Sequence, residues 1–159
     1  MQKLIYIIVI VIMLSLGGKI ASGEPISVQA DQLEASVYYD FVSQSGDILR
    51  IRVQYEAATP TAEIHEVQFA PLEPKPDGEY VYNHLTSDSQ KIIFTFVVKN
   101  YRLLWAQVET DYKPQSNVGE EQKVLSLKSR GGYVMLFTFS FNNGQYTGAN
   151  IKPKINPFS

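Results

Sequence analysis

Cysteine is absent from the 159 residues. That excludes disulfides, thiolate metal sites, a cysteine nucleophile and a lipid-modified N-terminal cysteine. Tryptophan occurs once and histidine twice. Neither G-x-G-x-x-G nor G-x-x-x-x-G-K-[ST] occurs, so no phosphate-cradling glycine loop is encoded. The nucleophile elbow G-x-S-x-G is missing as well. Nor is there an excess of positive charge: 14 Lys+Arg stand against 16 Asp+Glu, a formal net charge of −2. A nucleic-acid binder needs a basic face to neutralise phosphates, so that class of partner is excluded. Only the N-terminus carries a long apolar run, which excludes a multi-pass helical membrane protein.

What is present begins with that run. Met1-Gln2-Lys3 is a short positive start, and Leu4 to Leu16 is apolar apart from Tyr6 and Ser15. Gly17-Gly18 follows, and Ala21 and Gly23 place small residues at −3 and −1 of a cut before Glu24. This order of charge, apolar run and small-residue site predicts a secretory signal peptide over residues 1–23 and one domain over 24–159. The competing reading is an uncleaved anchor, but spanning takes about 20 apolar residues and this run is shorter. Lys3 and Lys19 are the only charged residues of the leader, so the mature part keeps 12 basic against 16 acidic residues. No Asn is followed by x-Ser/Thr. An exported chain with neither cysteine nor a glycosylation acceptor fits the bacterial cell envelope, periplasmic or secreted.

Period-2 alternation dominates the mature chain. Leu49, Ile51, Val53 and Tyr55 share one side of a strand, with Arg50, Arg52 and Gln54 on the wet side. Ile92, Phe94, Phe96 and Val98 form a second row, backed by Ile93, Thr95 and Val97, as in a central strand. Met135, Phe137, Phe139 and Phe141 form a third. Weaker strands are expected over 64–69, 80–85, 102–111, 124–127 and 145–151. Asn143-Gly144 is the strongest hairpin signal, because Asn-Gly suits the positive φ angles of a two-residue turn. Pro71, Pro74 and Pro76 mark an extended loop. Asp31 to Glu34 matches a helix capping box, but the Val37-Tyr38-Tyr39 run favours a strand. No internal repeat is evident at solenoid or propeller periods. Eight or nine short strands without βαβ alternation predict an all-β, antiparallel β-sandwich. The strand count resembles that of immunoglobulin-like envelope domains, an architectural analogy that carries no functional residue.

Chemistry-bearing residues are sparse. His65 has Glu63 and Glu66 near it, but in a strand 63 and 65 share a face that 66 does not, which falls short of a zinc site. Asp77, Glu79 and Asp88 lie in predicted loops without the spacing of a calcium loop. Glu109 with Asp111, or Glu120 with Glu121, could form a hydrolytic pair only if a cleft raised one pKa. No catalytic residue, metal site or cofactor is therefore assigned. The aromatics say more. If Val81 and Leu85 face the core, then Tyr80, Tyr82 and His84 face outward, as a ligand-binding row for a sugar or a protein, with Tyr112 as a further candidate for the sugar reading. Trp105 is expected to anchor the core. Residues 25–30 alternate as a first strand, or as one donated to a neighbour's edge.

The expected protein is an exported, non-catalytic β-sandwich that binds another envelope or extracellular protein. A carbohydrate-binding module using the tyrosines is the alternative, and a hydrolase the third. Mass spectrometry of the exported product is expected to find Glu24 at the N-terminus; a retained Met1 would contradict the leader.

Overall fold

A computed structural model describes residues 34–56, 62–115, 117–155 and 157. The leader, its cut and the 25–30 alternation lie outside the described residues. Among the described residues nine strands of eight or nine residues follow one another: β1 (Glu34–Val42), β2 (Ile48–Glu56), β3 (Glu63–Pro71), β4 (Gly78–Leu85), β5 (Lys91–Lys99), β6 (Arg102–Thr110), β7 (Glu120–Lys128), β8 (Val134–Asn142) and β9 (Gln145–Pro153). Among the described residues there is no helix; Glu34, the last residue of the capping-box pattern, opens β1, and Asp31 to Leu33 lie outside the described residues. The all-β, antiparallel expectation holds, and each weak strand is present.

Three sheets form, not two, in the orders β1-β2-β3, β4-β5-β6 and β7-β8-β9. Every pairing is antiparallel and joins sequence neighbours. The layers stack on a shared core, as in a sandwich, but the connections are plain meanders without the crossovers of an immunoglobulin-like chain.

The three sheets are repeats in spacing. The central strands start at Ile48, Lys91 and Val134, each 43 residues after the last. Their buried rows match position by position: Leu49, Ile92 and Met135; Ile51, Phe94 and Phe137; Val53, Phe96 and Phe139; Tyr55, Val98 and Phe141. The turn before each central strand repeats too. Ser43 N–H donates to Asp47 O (2.8 Å), Thr86 N–H to Gln90 O (2.8 Å) and Ser129 N–H to Tyr133 O (2.7 Å). In each turn the first hydroxyl accepts from the last backbone N–H at 3.1 Å: Ser43 from Asp47, Thr86 from Gln90, Ser129 from Tyr133. The fourth residue has positive φ in all three, at Gly46 (90°), Ser89 (64°) and Gly132 (90°). The side-chain hydroxyl captures a donor that the tight turn would otherwise leave unpaired. Thus a 43-residue repeat exists that residue identities hide, correcting the expectation of none.

The second hairpin of the later units also matches. Asn143 and Gly144 both take positive φ (53° and 80°), as the Asn-Gly signal predicts. Asn100 and Tyr101 do the same 43 residues earlier (54° and 60°), so Tyr101 is a turn residue and β6 opens at Arg102.

One face of each sheet supplies a single core. Aromatic edges bind the sheets pairwise. Phe69 meets Phe94 at 5.1 Å, Phe94 meets Phe137 at 5.8 Å, and Tyr39 meets Tyr133 at 6.0 Å, all edge-to-face. Such contacts add about 0.5–1.5 kcal/mol each beyond the area they bury. Each sheet therefore touches the other two, around a three-sided interior. Phe94 stands at its centre, fully buried and touching an aromatic ring of both other sheets. Phe94→Ala is expected to cost about 3–5 kcal/mol of stability, the usual cost of truncating a buried phenylalanine. Ser129→Ala, which removes only one turn bond, is expected to cost about 1 kcal/mol. Urea denaturation checks both; equal costs would contradict the central place of Phe94.

Candidate functional site

The ligand-binding row of Tyr80, Tyr82 and His84 faces inward. In the β4–β5 register Tyr80 lies opposite Phe96, Tyr82 opposite Phe94 and His84 opposite Ile92, all on the core side. Tyr82 is 3 % exposed and His84 1 %, while Val81 is 50 % and Leu85 49 % exposed. The outward premise is thus reversed. Both rows of β4 contain apolar residues, and pairing with the fully buried Ile92 and Phe94 decides which one goes inside. Tyr112 is not a free ring either: its hydroxyl donates to Glu121 Oε2 at 2.7 Å, and the Lys123 ammonium lies 4.9 Å from its centroid.

Tyr82 instead lines a small cleft beside the proline loop. The Lys75 ammonium lies 5.7 Å from the Tyr80 ring and 5.9 Å from the Tyr82 ring, and pairs with Asp47 at 3.3 Å. Tyr80 donates to the Pro76 carbonyl at 2.7 Å. Gly46, Asp47, Ile48, Leu72, Glu73, Lys75 and Tyr82 surround about 110 Å³. Lys75 and Asp47 pair with each other here, and the space is small for an organic ligand.

His84 belongs to a larger cavity of about 350 Å³ at one end of the molecule. All three sheets line it: Phe41 and Val42 from β1, His84 and Leu85 with Thr86 and Ser87 from β4 and its turn, and Ser126, Leu127, Lys128 and Val134 from β7 and β8. Buried Phe41, His84, Thr86 and Leu127 form the floor, and exposed Val42, Leu85, Ser87, Ser126 and Lys128 the rim. The His84 ring stands edge-to-face on Phe94 at 5.3 Å, and its Nε2 lies 3.5 Å from the Phe41 carbonyl oxygen. A carbonyl only accepts, so in the tautomer with its proton on Nε2 the ring donates to Phe41. The ring's Nδ1 has no hydrogen-bond partner. Burial pushes the His84 pKa below its usual value of 6.5, although the Phe41 and Tyr82 carbonyls favour the charged ring.

The other titratable groups named from sequence are dispersed. Glu109 accepts from the Gln107 amide at 2.7 Å, and Asp111 accepts from the Lys91 backbone N–H at 2.7 Å. His65 Nδ1 lies 3.4 Å from Glu56, and Asp88 accepts from the Thr86 hydroxyl. Among the described residues no three His, Asp or Glu side chains come together as a metal-binding group, and no helix is long and apolar enough to cross a membrane.

The outer faces of the first two sheets carry different groups. On the first sheet Asp40 and Arg50 form a two-bond ion pair at 2.8 and 3.0 Å, which holds the Asp40 carboxyl below its usual range. Beside it Arg52 bonds Gln68 at 2.8 Å and also Gln54, which is buried despite its place on that face. The second sheet turns Val81, Ile93, Val97 and Trp105 outward, with Leu104 beside them. A β-bulge between Val97 and Val98 puts Leu104 in the extra position, 58 % exposed. It also sets Trp105 opposite Val97 on the outer face, not in the core as expected. Sequence reasoning missed this surface because a bulge shifts the alternation by one.

The chain matches no family model, no curated protein and no solved structure.

The buried histidine gives a pH dependence with a definite sign. Because the folded ring has the lower pKa, the unfolded chain binds more protons below about 6.5. Stability is full above that value and falls as pH drops from there towards the folded pKa. Urea denaturation between pH 7.5 and 5 is expected to show a loss that His84→Leu removes; an identical slope in both proteins would contradict a buried neutral imidazole.

Proposed function

We propose that this chain is an exported, non-catalytic binding module whose partner is another protein of the cell envelope or its exterior, docked on the outer face of β4-β5-β6. The cluster of Trp105, Leu104, Val97, Val81 and Ile93 on that face carries the reading. Three-stranded sheets with one face in a core ordinarily turn polar side chains to water, as β1-β2-β3 does with its Asp40–Arg50 pair. On the neighbouring sheet exposed Val81 and Leu104 stand beside half-buried Ile93, Val97 and Trp105, with Asn83, Thr95 and Gln107 among them. Exposed aromatic and aliphatic residues grouped on one surface mark contact sites, and a tryptophan is a frequent energetic anchor. The fitting partner presents an apolar surface of its own, with polar groups at the margin to meet Glu79, Lys91 and Glu109.

Export follows from the leader pattern of residues 1–23. A carbohydrate platform of Tyr80 and Tyr82 has less support, because both rings are turned towards the core and the proline loop.

The single tryptophan makes the test direct. Trp105 in the native envelope assembly is expected to be quenched by acrylamide at least about threefold less than in the purified chain, as a buried anchor would be. Trp105→Ser combined with Val81→Ser is expected to leave the circular dichroism and melting temperature in place and to abolish co-purification of the partner. Equal quenching in both states, or a partner retained by the double variant, would overturn the assignment.

A further inference from the structure

We propose that the seam between the third and first sheets is a binding site for an acidic saccharide, a sugar chain that carries carboxylates. Tyr38, Asp40 and Arg50 of the first sheet build it, with Arg130 and Tyr133 from the turn between β7 and β8. None of these residues lies on the outer face of β4-β5-β6, so the site does not rest on the docking reading.

The repeat separates what the fold needs here from what it does not. The third sheet is joined to the first where Arg130 N–H donates to Asp40 O at 2.8 Å. The first is joined to the second by the equivalent bond, from Gln44 N–H to Asn83 O, also at 2.8 Å. Around that second junction Val81 takes the place of Tyr38, Asn83 of Asp40, Ile93 of Arg50, Gln44 of Arg130 and Asp47 of Tyr133. The same backbone junction therefore forms without either guanidinium and without either ring. Five chemistry-bearing side chains gather at one seam for which the fold has no use.

They are held ready. Arg50 donates from Nε and Nη2 to the two Asp40 oxygens at 2.8 and 3.0 Å, and its guanidinium lies 5.4 Å from the Tyr38 ring centre. Ring, guanidinium and carboxylate thus fix one another. Arg130 has no carboxylate within ion-pair distance among the described residues, although its charge, after the Arg50 bonds, helps hold the Asp40 carboxyl below its usual range. One carboxylate between two guanidinium groups leaves a local surplus of positive charge in a chain whose net charge is −2. Both rings remain open to water: Tyr38 is 55 % exposed and Tyr133 67 %, the latter standing edge-on to Tyr39, next to Asp40 in β1.

The ligand chemistry follows from this set. An open aromatic ring suits the C–H face of a sugar. A guanidinium and a carboxylate locked side by side offer a donor and an acceptor to neighbouring hydroxyls. The forked donors of Arg130 suit a carboxylate. A neutral sugar would leave Arg130 unused, and a bare carboxylate would leave the rings unused. A sugar with an acid group engages all of them.

Trigalacturonic acid, neutral maltotriose and acetate are the probes, because they separate the acid from the sugar. In NMR of the full mature chain, millimolar trigalacturonate is expected to shift the Tyr38 and Tyr133 ring signals together with the Arg50 and Arg130 guanidinium signals. Maltotriose is expected to bind at least about tenfold more weakly, and acetate at the same carboxylate concentration to leave the rings unmoved. The variants are copied from the other junction, where the fold already accepts them. Tyr38→Val is expected to weaken trigalacturonate about tenfold, and Arg130→Gln to remove its advantage over maltotriose, both with the melting temperature in place. No shift at millimolar trigalacturonate, shifts confined to other parts of the molecule, equal effects of acetate or maltotriose on the unaltered chain, or unchanged binding by both variants would each overturn the proposal.

Discussion

Everything in this structure depends on the burial of one face of each central strand against the other two. A three-stranded meander has a single apolar face and cannot hide it alone. Two such sheets could stack, but these three close on one another. Leu49, Ile92 and Met135, and the three rows after them, come from equivalent positions in the three units. Without cysteine, the exclusion of water from this interior and the aromatic edges within it must hold the sheets together. Close packing in turn makes exceptions visible, because a polar side chain at an apolar position has few neighbours able to satisfy it.

Those exceptions separate the structural from the functional. Repetition explains the turns and the buried rows without reference to any activity. It does not explain an imidazole where the other units carry Phe41 and Leu127, nor the cluster around Trp105 on one outer face while another carries ion pairs. A stable fold needs neither feature. Both fall on the second unit, β4-β5-β6, the one on which the proposed docking face lies.

Much of the fold was legible in the sequence, and the limits have physical causes. The rows from Leu49, Ile92 and Met135 are strict alternations, so their strands and buried faces could be read directly. The Asn143-Gly144 turn was equally plain, because few residue pairs accept two positive φ angles. Sheet number was not legible, since alternation fixes which residues go inside and not how many layers meet there. Tyr80, Tyr82 and His84 were assigned to the wrong face because β4 carries apolar residues on both. Trp105 was misplaced by the bulge at Val97. The repeat escaped because selection acts on burial and turn geometry: Ser43, Thr86 and Ser129 share a hydroxyl, while Ile51, Phe94 and Phe137 share only an apolar surface.

The central claim is that three equivalent units close on one interior. Native-state hydrogen exchange on β2, β5 and β8 tests it most directly, because strands that share a core open together. The buried amides of all three strands are expected to be the slowest in the molecule and to share a common opening free energy. If one strand exchanged through a separate, lower-energy opening while the other two stayed protected, the shared three-sided core would be contradicted.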